Sequence, residues 1–101
     1  AQLAEGQNVT GYYIGLYARA FDLEESVQQS ILAEWDRDIE PFITQKPQTV
    51  ALAFLLSALE FLHETKKTTA GPASKLGLNR TTVASVRKKF DSHFRTIKAT
   101  S

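Results

Sequence analysis

The side chains best suited to chemistry in this chain lie between Asn79 and Lys89. Six of them recur at helical spacing, so a helix would present them on one outer side. They are Asn79, Arg80, Thr81, Ala84, Ser85 and Lys88. Guanidinium and ammonium groups pair with phosphates, and short amide or hydroxyl side chains hydrogen-bond to base edges. The pattern therefore favours contact with the major groove of DNA.

We predict a role for each residue of this interface. The side chains expected to contact phosphates are Lys75, Arg80, Lys88 and Lys89, and those expected to approach base edges are Asn79, Thr81 and Ser85. Ala84 stands at the centre of the outward face and can offer only a methyl contact to thymine. We therefore expect phosphate-dominated or partner-assisted contact rather than specific reading of bases.

A helix-turn-helix over about residues 69–97 is the arrangement that would position these side chains. It needs a small residue where its helices cross, a turn residue that tolerates positive φ, and apolar anchors inside the second helix. In chain order these roles are filled by Ala73, Gly77, Val83 and Val86. Leu76 and Leu78 are expected to cover the underside of the turn, and Pro72 to make the first helix short and late to begin. A glycine serving only as a helix C-cap is the alternative interpretation.

Charge is divided unevenly along the chain, although the net charge is only +1. Residues 1–60 carry three basic against nine acidic side chains, a net charge of −6, whereas residues 61–101 carry nine against two, a net charge of +7. The basic part is the part with the helix-turn-helix. This coincidence is typical of a phosphate-binding surface.

Composition excludes several classes of site. The chain has no cysteine, which removes disulfides, cysteine zinc sites and thiol catalysis. His63 and His93 lie on different predicted helices without a metal-binding motif, and Asp36 and Asp38 would point in different directions on a helix. There is also no glycine-rich phosphate loop. We predict no enzyme activity, no metal and no cofactor.

The length of 101 residues fits one domain, and the start at Ala1 suggests a segment excised from a longer chain. Apolar periodicity predicts an all-α fold of five helices, of which the third is apolar around nearly its whole circumference and is surrounded by the others. The first three are expected over Thr10 or Gly11 to Ala20, Glu24 to Ile39, and Pro47 to Glu64. A loop is expected at Phe42–Lys46 and a polar turn at Lys66–Thr69. Trp35 is expected in the core, and the apolar run Val50–Leu62 is too short for a membrane span.

These elements carry motifs of a known family. They are an aromatic-rich first helix (Tyr12 to Ala20), an Asp22-Leu23 connector, a Lys46-Pro47 step into an alanine-rich central helix, and a closing Gly77-Leu78, Thr82-Val83 and Arg87-Lys88-Lys89-Phe90. Over nearly all 101 residues the chain resembles a cyclin-like repeat of the general transcription factor IIB family, including its archaeal and polymerase-III relatives. It departs from that family in having one repeat rather than two, and in presenting Ala84 where members that read the upstream element have a long polar side chain.

The resemblance implies a cyclin-like five-helix bundle whose last two helices touch the major groove of promoter DNA beside the TATA box. It also implies TATA-binding protein and RNA polymerase as partners, and an intracellular location, nuclear in a eukaryote. Two alternatives stay open. One is a cyclin-like module that binds protein, with a disused DNA surface and an acidic second helix that docks a basic partner. The other is a bacterial or phage-type helix-turn-helix repressor, which would normally dimerise.

Overall fold

Helices account for all the regular secondary structure in the part of the chain that the structure describes. A computed structural model describes residues 7–35 and 46–100, with side chains for 10–35 and 46–96. Within these ranges there are five α-helices and no strand, so the all-α prediction is confirmed. The helices are α1 (Gln7–Ala20), α2 (Glu25–Trp35), α3 (Pro47–His63), α4 (Ala70–Lys75) and α5 (Arg80–Thr100).

Helix α3 is the centre of the bundle. Every residue from Thr49 to Leu59 is buried, because the sequence places apolar or small side chains on all sides of this helix. Helices α5 and α1 pack most extensively against α3, α2 packs against both α1 and α3, and α4 packs against α5. The prediction of a central third helix is therefore confirmed. No helix in the described ranges has the length and apolar character needed to cross a membrane.

An aromatic cluster joins three of the helices. The Phe54 ring of α3 lies 5.1 Å from the Trp35 ring of α2 and 5.1 Å from the Phe90 ring of α5, both edge-on. The Phe94 ring, also on α5, lies 5.6 Å from the Phe54 ring. Trp35 is only 5% exposed, which confirms its predicted place in the core. Edge-to-face pairs of this kind add specific geometry to the burial of apolar area.

On α1, Gly11 lies against Trp35 of α2, and Tyr17 is buried in the core. A Cβ added at Gly11 would lie 3.5 Å from Cδ1 of Trp35, an ordinary van der Waals contact, so the start of α1 lies close against the indole. Burial raises the pKa of Tyr17 above its usual value, and the neighbouring Tyr13 raises it further. Tyr17 therefore stays neutral in the core at ordinary pH.

The observed helix boundaries differ from the predicted ones in a few places. Helix α1 begins at Gln7, before Thr10, and α3 ends at His63 because Glu64 adopts a left-handed conformation with φ of 52°. Helix α4 begins at Ala70, directly after the predicted polar turn, and it is short, as predicted. Pro72 occupies the third helical position, where a backbone N–H would have no partner within the helix. The predicted end of α2 at Ile39 and most of the Phe42–Lys46 loop lie outside the described residues.

The turn between α4 and α5 has the geometry of a Schellman motif. The N–H of Leu78 donates to the carbonyl of Ala73 at 2.8 Å, and the N–H of Gly77 donates to the carbonyl of Ser74 at 3.1 Å. Gly77 has φ of +71°, which only glycine adopts without strain. Ala73 and Val83 are fully buried and Val86 is 2% exposed. The positive φ of Gly77 and the burial of Ala73, Val83 and Val86 are thus as predicted.

Replacing Gly77 by alanine should lower the free energy of unfolding by about 1 kcal/mol, because an alanine at positive φ is strained. The added methyl group would meet nothing within 4 Å, so backbone conformation is the only source of the loss. Gly71→Ala is the matched control, since its Cβ would make an ordinary contact 3.6 Å from Thr68 Oγ1 within a helix. We expect that variant to be neutral or slightly stabilising. Urea unfolding followed by circular dichroism measures the free energy of unfolding of both variants. Equal losses in the two would contradict the strain expected from positive φ at residue 77.

Candidate nucleic-acid interface

Asn79 caps the helix that carries the interface. Its Oδ1 accepts hydrogen bonds from the N–H of Thr81 at 2.9 Å and of Thr82 at 3.1 Å. These are two of the N–H groups that the first turn of α5 leaves without backbone partners. Asn79 is predicted from the sequence to approach base edges, and its capping role was not predicted. An asparagine directly before an amphipathic helix is the signal that could have revealed it.

A depression between the start of α4 and the outer side of α5 brings four of the predicted site residues together. We call it the first groove, and its lining residues are Thr69, Ala70, Arg80, Thr81, Ala84, Ser85 and Lys88. Arg80, Thr81, Ser85 and Lys88 are all exposed, and Ala84 is half-buried among them. The groove thus offers two cations and two hydroxyl groups around an apolar centre.

Lys75 and Lys89 are not among the residues that line the first groove. The Lys75 ammonium lies 3.4 Å from the carbonyl oxygen of Ala20 and 5.3 Å from the centroid of the Phe21 ring. It therefore points toward the connection between α1 and α2. Lys89 is exposed on α5 but lies about 100° around the helix from Lys88.

A second depression adjoins the first. This second groove is lined by residues of α3, of the α3–α4 connector and of α5: Glu60, Lys66, Lys67, Thr68, Thr69, Ala84, Arg87, Lys88, Asp91 and Arg95. From the sequence, Lys66 and Lys67 are expected in a polar turn and Arg95 in the basic excess, with no shared role predicted for them. Arg95 follows Lys88 by seven residues, and this spacing alone could have placed both on one side of a helix. The approach of the two lysines depends on the tertiary structure.

Arg87 holds the wall of the second groove in place. It is 7% exposed, and its Nη1 donates to the carbonyl of Lys67 at 2.7 Å and to Thr69 Oγ1 at 3.0 Å. Its Nη2 forms an ion pair with Glu60 Oε1 at 3.0 Å. One guanidinium thereby joins α5 to both α3 and the connector. Its charge is largely used inside the protein, so Arg87 positions the interface rather than presenting a free cation.

The carboxylates near the interface already have partners within the protein. Glu60 pairs with Arg87, and Asp91 Oδ1 accepts a hydrogen bond of 2.6 Å from the buried hydroxyl of Ser57. By contrast, the side chains of Lys66, Lys88 and Arg95 are exposed. The surface that runs across the two grooves is therefore positively charged toward solvent, which suits a polyanion.

The remaining candidate groups form no metal cluster among the described residues. His93 lies edge-on to Phe94, with ring centroids 5.6 Å apart. His63 lies at the end of α3, and its buried Nε2 has no hydrogen-bond partner within residues 7–35 and 46–100. Asp36 and Asp38 lie outside the described residues.

Comparison of the chain with protein-family models, with characterised proteins and with solved structures gives no match.

Replacing Asn79 by alanine should destabilise the protein by about 1 kcal/mol, because two N–H groups at the start of α5 lose their acceptor. Asn79→Asp keeps an acceptor oxygen and adds a negative charge at a helix N-terminus, so its stability should match or exceed that of the parent. Chemical denaturation of the two variants tests this. An alanine variant as stable as the parent protein would contradict the capping role of Asn79.

Replacing Arg87 by alanine should lower the free energy of unfolding by about 1–3 kcal/mol, since the partly buried acceptors on Glu60, Lys67 and Thr69 would all lose their donor. Lys89→Ala removes the same charge from an exposed position of the same helix and is expected to change stability by less than about 0.5 kcal/mol. Thermal and urea unfolding of the pair measure the difference. Similar losses of unfolding free energy in both variants would contradict the proposed link that Arg87 forms between α5, α3 and the connector.

Proposed function

We propose that this chain is a DNA-binding transcription factor domain, a cyclin-like repeat of the transcription factor IIB type. The observation that carries the proposal is the first groove: a helix-turn-helix directs Arg80, Thr81, Ser85 and Lys88 to one exposed surface. Basic and hydroxyl side chains on the outer side of a second helix are what a major groove accommodates. The positive surface next to that groove supports the same conclusion.

In the proposed complex α5 lies in the major groove with its first turns toward the bases. Arg80 and Lys88 contact phosphates, and Thr81 and Ser85 approach base edges. Asn79 is committed through Oδ1 to the helix start, and Ala84 presents a methyl group at the centre. With so few groups to read bases, most of the affinity comes from phosphates and is expected to vary little with sequence.

Lys75 is left out of the proposed contact set. Its ammonium lies near the Ala20 carbonyl and the Phe21 ring, away from the first groove. TATA-binding protein and RNA polymerase as partners, and a nuclear location in a eukaryote, are proposed from the sequence resemblance alone. They follow if the domain acts in transcription initiation.

The double variant Arg80→Ala, Lys88→Ala should bind duplex DNA more weakly at every sequence tested. It should also reduce the slope of log affinity against log salt by about 1.8, because each phosphate contact contributes about 0.9. The matched control is Arg19→Ala, Lys75→Ala, which removes the same charge from exposed positions elsewhere. Fluorescence anisotropy with a labelled duplex at several salt concentrations measures both variants.

Two results would contradict the proposal. One is the absence of any binding by the parent protein to a mixed-sequence duplex at low salt, which would favour the alternative of a protein-binding module. The other is an equal loss of salt dependence in the control variant, which would mean that general charge and not the first groove attracts DNA.

A further inference from the structure

The second groove has charged groups that the proposed contact with the first groove does not use. Lys66 and Arg95 are exposed, Lys67 is half-buried, and all three line the same depression as Lys88. The Arg95 guanidinium carbon lies 5.6 Å from the centroid of the Phe61 ring, which orients the side chain while leaving its N–H donors available. These cations come from two separate segments and converge on one depression.

The acidic side chains of this groove do not cancel the three cations. Glu60 is paired with Arg87. The charge of Asp91, whose Oδ1 accepts a hydrogen bond from the Ser57 hydroxyl, is outnumbered by the four further basic side chains that line the groove, which are Lys66, Lys67, Lys88 and Arg95. The connector cannot easily move away, because Arg87 holds the carbonyl of Lys67 at 2.7 Å and Thr69 Oγ1 at 3.0 Å. The groove is therefore a positioned cluster rather than a set of independent surface lysines.

The two grooves form one continuous surface. Both are lined by Thr69, Ala84 and Lys88, and the small side chain of Ala84 raises no wall between them. Thr81, Lys88 and Arg95 are spaced seven residues apart and share one side of α5. Lys88 and Arg95 are about 10 Å apart along the helix axis, a distance close to the roughly 12 Å width of the major groove.

We propose that the second groove binds the sugar–phosphate backbone of the same DNA duplex, with Lys66, Lys67 and Arg95 contacting phosphates beyond those reached by Lys88. This inference rests on the proposed function and adds a contact region that the helix-turn-helix pattern did not indicate. Its side chains are point charges and one guanidinium, and the Thr69 hydroxyl is already engaged by Arg87. The groove therefore contributes affinity without reading sequence.

The test is the triple variant Lys66→Ala, Lys67→Ala, Arg95→Ala. Its matched control is Arg19→Ala, Lys46→Ala, Lys75→Ala, which removes three exposed positive charges elsewhere. The slope of log affinity against log salt should fall by about 2.7 in the test variant and stay near the parent value in the control. Between 50 and 200 mM salt, the parent should therefore lose about 40-fold more affinity than the test variant does. The loss at low salt should be the same on two unrelated duplexes.

The possible failures are distinguishable. If the parent protein does not bind DNA at low salt, the proposed function fails and this inference fails with it. If the parent binds and the test variant keeps its slope, or if the control variant loses as much, only the second groove is overturned. Should the triple variant unfold, Lys66→Glu changes one exposed side chain, and a slope reduced by at least about 0.9 is then the expected result.

Discussion

The burial of α3 on all sides is the constraint on which the rest of the structure depends. An apolar helix exposed on no side has to be covered around its whole circumference. Helices α1, α2 and α5 contribute that cover, and α4 packs against α5 instead. The last two helices therefore have different roles. Helix α5 covers the core with one side and exposes polar and basic side chains on the other, whereas α4 packs against α5.

Two polar links between α3 and α5 set the position of α5 on that core. The Ser57 hydroxyl donates a hydrogen bond of 2.6 Å to Asp91, and Glu60 forms an ion pair of 3.0 Å with Arg87. The two residues on α3 are three positions apart and their partners on α5 are four apart in the reverse order, as expected for antiparallel helices. Each link contributes only modestly to the net free energy of folding. A rotation or shift of α5 would nevertheless leave buried polar groups without partners, which costs more. The outward side of α5 is directed to solvent for this reason.

The sequence was informative wherever a pattern lies within one segment. The periodicity of α3, the roles of Ala73 and Gly77, and the inward direction of Val83 and Val86 all depend on local spacing, and the structure has them as predicted. Local spacing does not predict which residues from distant segments come into contact. Helical spacing gives the direction of a side chain on its own helix but not the identity of the neighbour.

Three residues show this limit. Arg87 looked like part of a basic surface stretch, but it is buried, and its partly buried partner Glu60 lies 27 residues earlier. Lys75 was expected at the interface, yet its ammonium reaches the carbonyl of Ala20, 55 residues away. Lys66 gained a place beside Lys88 only because Arg87 holds the connector against α5. The candidate site is thus partly a product of contacts that no local pattern encodes.

The division of α5 into an inner and an outer half has an evolutionary consequence. Val83, Val86, Phe90 and Phe94 maintain the core, while Thr81, Ser85 and Lys88 contribute no buried apolar surface to it. Substitutions on the outer half are therefore nearly free of folding cost. Selection can change what this helix recognises, one exposed position at a time, while the bundle beneath it stays the same.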